Sequence, residues 1–327
     1  ILIGEMFSLE QRAKMQGFFS GVWGVSSIIG PLLGGFLVQQ LSWRWVFFVN
    51  LIPGPIAVAL VAFAWRDTIH THGKITVDYL GAALLSASVV TLLLGLMEFG
   101  TANSWALIAI AIALFVLLLW VESHAADPIL PIPLFRERLF ATASTHGLLT
   151  GWAMFGSISF IPLFVQSVLG TSAMQAGITI TPMLLGWVTA SVIGTRLILT
   201  VGVRKLGVIG TLLFATGALL LSRVGADTSQ TSIMIFVTLM GIGMGLSIPS
   251  FLIAVQTSVE RRHLGTATST LQFSRSMGGT LGVSVMGAAL SMRLTSNLAA
   301  SGLDPQLVSQ LLDPLGTKTV VDSGVRL

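Results

Sequence analysis

Nine times in 327 residues this chain stays apolar for about the twenty residues that cross a bilayer as a helix. The runs lie near 17–40, 43–65, 78–98, 105–122, 140–169, 175–200, 206–223, 231–256 and 263–291. Only 9% of the residues are charged, against about 25% in a soluble domain, so the chain lacks the charge to clothe a water-facing surface. The alternating ten-residue segments of a membrane barrel are missing. The expected fold class is therefore all-α: a polytopic membrane protein with about nine transmembrane helices. Cysteine is absent, which removes disulfides and thiolate metal sites, and neither cofactor nor metal is expected. The net charge of +4 would suggest nucleic acid in a soluble protein. In a membrane chain its distribution reports topology instead, and no nucleic-acid partner is expected.

One set of flanks holds Arg12, Lys14, Arg66, Lys74, Arg136, Arg138, Arg196, Arg204, Lys205, Arg261 and Arg262, eleven of the seventeen Lys and Arg. The positive-inside rule places that side in the cytoplasm, with residues 1–16, and the 292–327 tail outside. Trp43, Trp45, Phe47, Phe48 and Trp105 then fall at the outer interface, where aromatic rings anchor helices. The stretch Asp127–Phe140, with three prolines, reads as a linker on the cytoplasmic surface. Asp78 and Glu122 read as charges at cytoplasmic helix ends, and Glu98 as an interfacial carboxylate.

The first run is the costliest. Residues 17–35 read GFFSGVWGVSSIIGPLLGG. At about 100° per residue, Gly17, Gly21, Gly24, Pro31 and Gly35 fall within about 40° of one line, flanked by Ser20, Ser27 and Gly34. Glycine costs roughly 1 kcal/mol in a helix interior and proline about 3. A helix with so many on one face trades stability for a close backbone approach, a bend, or both.

Gly30-Pro31-Leu32-Leu33-Gly34-Gly35 resembles the G-P-x-x-G-G ending of the antiporter motif of the major facilitator superfamily. Gly17 stands at its leading glycine, and Ser26 replaces a glycine. Eight residues on, Ser42–Asn50 (SWRWVFFVN) resembles the signature that follows it in fourteen-span drug:proton antiporters of the EmrB/QacA type. Pro162, Gln166, Gly170, Ala176, Gly177 and Pro182 resemble the pattern that opens the second bundle. Gly202, Arg204 and Lys205 are similar to a degenerate second copy of the cytoplasmic loop motif, without its acidic residue. Gly265, Arg275, Gly278, Gly279 and Gly282 resemble a late-span pattern.

The resemblance implies a fragment covering about the fifth to thirteenth spans. Residues 1–65 would end the amino-terminal bundle, and 66–139 would supply two extra linker spans and a cytoplasmic linker. Residues 140–291 would form the five-span carboxy-terminal bundle, and 292–327 a polar extracytoplasmic loop or tail. The first run and the 175–200 run, with Gly186, Ala190 and Gly194, would then face each other across a moving interface. Gly202, Arg204 and Lys205 would form a cytoplasmic gate.

Arg275 sits about twelve residues into its run, or about 18 Å, close to mid-membrane. A charge there is costly unless it meets water or a partner, so Arg275 is either a carbonyl-bonded structural residue or a cavity residue that meets substrate or biases a carboxylate. Gln272, Gln166, Trp152 and Phe155 are candidate cavity residues, because aromatic faces suit amphipathic cations. At helical spacing they equally suit core or lipid. His146 reads as a packed histidine or a proton relay.

The expected function is secondary active transport without catalysis: proton-coupled efflux of small amphipathic compounds, by a monomer in a cell membrane. A carrier of a metabolite such as a sugar or organic anion is the alternative, and a non-transporting receptor or scaffold a third.

Overall fold

Seven of the expected apolar runs are helices whose boundaries follow the expected ones within a few residues. In a computed structural model, the described residues are 44–64, 78–125, 128–260 and 263–300, with scattered positions between Gln11 and Ser42. Helix α1 is Trp45–Ala64, broken by a 3-10 turn at Val49–Leu51. There follow α2 (Tyr79–Met97), α3 (Ala102–Glu122), α4 (Arg138–Ser167), α5 (Ala173–Val201), α6 (Val203–Leu221), α7 (Gln230–Ser258) and α8 (Leu264–Ala300).

Among the described residues, seven helices are long and apolar enough to cross a membrane, where nine runs were expected. The first run lies mostly outside the described residues, although Phe18, Val22, Ser26, Ile29 and Leu37 within it are helical. The last run departs in another way. It is the helix α8, which continues past Met292 to Ala300 over 37 residues, about 55 Å. Its serines, threonines and two arginines keep it below the hydropathy of the others.

Short polar residues start the helices. Asp78 caps α2 through the Gly81 N–H (2.7 Å), Thr101 caps α3 through the Ser104 N–H (3.2 Å), and Ser229 caps α7 through the Ser232 N–H (3.2 Å). Ser172 and Gln175 form a reciprocal capping box on α5. Each cap satisfies a backbone donor left open in the first turn.

Packing is governed by α7, whose core reads Gly241-Ile242-Gly243-Met244-Gly245. Two residues turn a helix by about 200°, so Gly243 points away from Gly241 and Gly245. Gly241 and Gly245 press on α5: a Cβ at Gly241 would overlap the Met183 carbonyl, and one at Gly245 the Trp187 carbonyl. Gly243 presses on α6, where a Cβ would overlap the Phe214 amide. From α6, Gly210 returns the contact, its Cβ position being 2.6 Å from the Gly243 carbonyl oxygen. One helix thus docks two others at backbone distance, and Met240, Met244, Val237 and Ile253 fill what remains as fully buried side chains. Alongside, α4 pairs with α8, and α2 with α3 as a hairpin. None of the residues of α1 is buried.

Candidate functional site

The most confined seam outside α7 joins α4 to α8, and it holds four of the candidate residues. Gly147 and Gly151 on α4 meet the α8 backbone between Leu271 and Gly279, and Gly278 and Gly282 on α8 meet Leu148 and Trp152 of α4, each pair of glycines one turn apart. A Cβ at Gly151 would overlap the Arg275 carbonyl, and one at Gly278 the Leu148 carbonyl. Trp152 and Phe155 occupy the notches this leaves. The Trp152 Cα and Cγ lie 2.8 and 2.9 Å from the Cβ position of Gly282, and the Phe155 ring lies over Gly279. Both rings thus pack between helices, and Phe155 stays 39% exposed at its outer edge.

Arg275 is held on α8 by the same seam, its backbone nitrogen 3.7 Å from the Cβ position of Gly147. Its Nη2 donates to Gln272 Oε1, one turn earlier, at 2.9 Å. A neutral amide orients the guanidinium and solvates it without cancelling its charge. The guanidinium thus keeps its positive charge on a long helix.

The other candidates lie apart. Gln166, near the far end of α4, donates from Nε2 to the Pro162 carbonyl (3.2 Å) on its own helix. Gly202 joins α5 to α6 with φ +88°, a conformation that L side chains rarely adopt, and its N–H closes α5 on the Ile198 carbonyl (3.0 Å). Arg204 and Lys205 follow it as exposed side chains on the first turn of α6. Of the candidate residues in the opening stretch, Gly17, Gly24, Pro31, Gly34 and Gly35 lie outside the described residues, as does Trp43. At Gly21 and Gly30 a Cβ would meet nothing within 4 Å among the described residues.

Two expectations change. The Gly186–Gly194 face of α5 packs on α7: the Cβ position of Gly186 lies 3.2 Å from the Thr238 carbonyl, and that of Gly194 lies 3.0 Å from Leu246 Cδ2. Small residues mark the face of a helix that is approached closely, but spacing does not name the helix that approaches. Glu122, read as a helix-end charge, is 3% exposed. The connector after α3 folds back over it, and the Leu130 N–H donates to Oε2 (3.1 Å).

His146 is buried and stacks its ring on Phe251, centroids 4.5 Å apart. It borders a groove of about 550 Å³ between α4, α6 and α7, with Thr142, Thr145, Thr211 and Phe214. His146 and Arg275 thus address different neighbours from α4 and α8.

Comparison with known proteins agrees with this architecture. Residues 1–283 match the family model described as Major Facilitator Superfamily. The chain is 39% identical over 315 residues to the Multidrug transporter protein MdtP of Bacillus subtilis (strain 168), covering 94% of this chain and 58% of that protein. It is 35% identical over 310 residues to Multidrug resistance protein 3 of the same organism, covering 92% and 60%. It is 28% identical over 326 residues to the Aspyridones efflux protein of Neocamarosporium betae, covering 93% and 57%. The chain thus spans less than two thirds of these relatives' length. Apolar helices packed glycine to glycine, and a family model matched over most of the sequence, lead to one assignment: this chain is a multi-pass membrane protein that belongs to the Major Facilitator Superfamily.

Proposed function

We propose that this chain is part of a secondary active exporter, in the manner of fourteen-span drug:proton antiporters. It moves small amphipathic compounds, often cationic, out across a cell membrane in exchange for inward protons. The observation that carries this reading is the 39% identity over 94% of the chain to a relative named a multidrug transporter. The physical case rests on two features. Glycine-lined helix pairs make stiff units that can rock as bodies. The opening glycine stretch, at whose Gly21 and Gly30 a Cβ would meet nothing within 4 Å among the described residues, supplies a smooth surface along which such a body can part and close.

In this scheme Gly21 and Gly30, with Gly17, Gly24, Pro31, Gly34 and Gly35, form the sliding surface. Arg275, oriented by Gln272, keeps a nearby coupling carboxylate ionised until a proton arrives. Trp152 and Phe155, beside that arginine, offer aromatic edges to the substrate. Gly202, Arg204 and Lys205 close the cytoplasmic side. The division into an amino-terminal bundle end, a linker pair and a five-helix carboxy-terminal bundle follows the same reading.

The test is dye efflux from everted vesicles carrying the complete transporter, with and without a proton gradient. The proposal expects accumulation only with the gradient, and collapse when it is discharged. Accumulation indifferent to the gradient overturns proton coupling. Arg275→Ala should lower gradient-driven accumulation at least tenfold and shift its pH dependence, while Arg275→Lys should restore part of it. Unchanged transport and pH profile in Arg275→Ala would leave the arginine a structural residue.

A further inference from the structure

Where the α2–α3 hairpin begins and ends, the half-buried Asp78 and the buried Glu122 turn their carboxyl groups toward each other. Asp78 precedes α2 and spends Oδ1 on the Gly81 N–H, at 2.7 Å. Glu122 ends α3 and spends Oε2 on the Leu130 N–H, at 3.1 Å. Their remaining oxygens, Asp78 Oδ2 and Glu122 Oε1, are both sealed from solvent and have no hydrogen-bond partner among the described residues. Both are aimed at the same small space, 2.5 and 2.6 Å from the Cβ position of Gly81. They therefore lie no more than about 5 Å apart. Glycine at position 81 is what lets them meet, because any Cβ there would collide with both.

Two ionised carboxylates in that arrangement would repel, with neither orphan oxygen solvated. The ends of the helices treat the two groups oppositely. Asp78 stands at the N-terminus of α2, where the helix dipole favours a negative charge, whereas Glu122 stands at the C-terminus of α3, where it opposes one. We propose that Asp78 and Glu122 hold one proton between them, carried on Glu122 Oε1 and donated to Asp78 Oδ2. One proton gives both orphans a partner, removes the repulsion, and leaves the remaining charge at the helix end that favours it.

A divalent cation fits less well. Calcium takes six to eight oxygens and magnesium six, usually with several waters, whereas this sealed site offers two free oxygens. Among the described residues the charged groups on the surrounding elements are engaged, exposed or half-buried. His124 is exposed and turned to Ser123 and the Trp120 carbonyl. Arg136, Glu137 and Arg138 are exposed at the start of α4, as is Arg293 on α8. His263, half-buried, precedes α8, and Arg275 is bonded to Gln272. Among the described residues the Gly81 amide donates to Asp78 and the Leu130 amide to Glu122, with the Ile129 backbone also acting on Glu122. Through the Leu130 amide, the shared proton fastens the hairpin to the connector that leads into α4.

The test is infrared difference spectroscopy of the complete protein in lipid, recorded from acid to alkaline pH. A protonated-carboxyl band should be present at neutral pH, disappear in Glu122→Gln, and disappear in Gly81→Ala as the pair is forced apart. Glu122→Gln should unfold at no lower temperature than the parent, because its amide donates to Asp78 in place of the proton, whereas Glu122→Ala should unfold lower. Three results overturn the proposal. The band is absent at neutral pH, as it would be if a basic side chain from residues 65–77 neutralised the pair. The band survives Glu122→Gln. Magnesium or calcium added at neutral pH abolishes the band and raises the unfolding temperature of the parent but not of Glu122→Gln.

Discussion

The opening stretch and the seams of α4–α8 and α5–α7 are both glycine-rich, yet their glycines stand in opposite surroundings. At Gly151, Gly241 and Gly278 a single added carbon would overlap a neighbouring carbonyl. At Gly21 and Gly30 it would meet nothing within 4 Å among the described residues. The first kind is explained by the folded state: glycine is there because a backbone occupies the place of the side chain. At the second kind no such neighbour stands among the described residues, while each glycine in a helix costs roughly 1 kcal/mol. On the proposed reading, those glycines keep a smooth surface for a neighbour that moves along it. Glycine content alone does not separate static packing from a sliding surface; the neighbour that a Cβ would strike does.

The comparison can be broken at several points. The largest effect is expected at the seam. Gly278→Leu drives a side chain into the Leu148 backbone, and the cost should be ~3 kcal/mol or more. The complete protein should then fail to yield a monodisperse species in detergent; recovery at parental yield would show the seam to be looser than described. Next comes Gly30→Leu, which should insert and fold as the parent does but lose at least nine tenths of dye efflux. Normal efflux would leave the opening glycines without a role in movement.

A smaller effect belongs to Gly202→Ala, where a φ of +88° should cost about 1–2 kcal/mol and lower the unfolding temperature without touching any packed neighbour. An unchanged unfolding temperature would mean that the turn relaxes freely. The smallest is Gln230→Leu. Gln230 Nε2 ties the start of α7 to α5, donating to Thr179 Oγ1 at 2.8 Å and to the Gln175 carbonyl at 3.1 Å. Its loss should cost about 1 kcal/mol by thermal unfolding; a loss three times larger would place more of the α5–α7 contact in this bond than in the glycine faces.

Much of the helix inventory was legible because it is local. The run expected at 175–200 became Ala173–Val201, and the one at 231–256 became Gln230–Ser258. The caps were legible too, and they would have sharpened the boundaries: Ser172-Ala173-Met174-Gln175 is a capping box by spacing alone. Partner choice was not legible. The face of Gly186, Ala190 and Gly194 announced a close approach, but α7 makes it, because Gly241 and Gly245 there offer the matching recess.

The candidate site divides in the same way. Arg275 stood out as a charge within an apolar run, yet its bond to Gln272 follows from their sharing a helix face one turn apart. Trp152 and Phe155 could be named as large aromatics, but their seats over Gly282 and Gly279 depend on a helix more than a hundred residues away. Glu122 does end its helix, but its burial was not legible, because the connector that covers it folds back through Leu130, a tertiary event without a periodic signature.

The central claim, that the glycines of the opening stretch and of the seams serve different ends, is tested most directly by thermal unfolding of the complete protein in lipid with Gly30→Leu beside Gly278→Leu. The account predicts that Gly30→Leu unfolds at the temperature of the parent, while Gly278→Leu unfolds far below it or does not assemble. Comparable destabilisation by the two substitutions would contradict it.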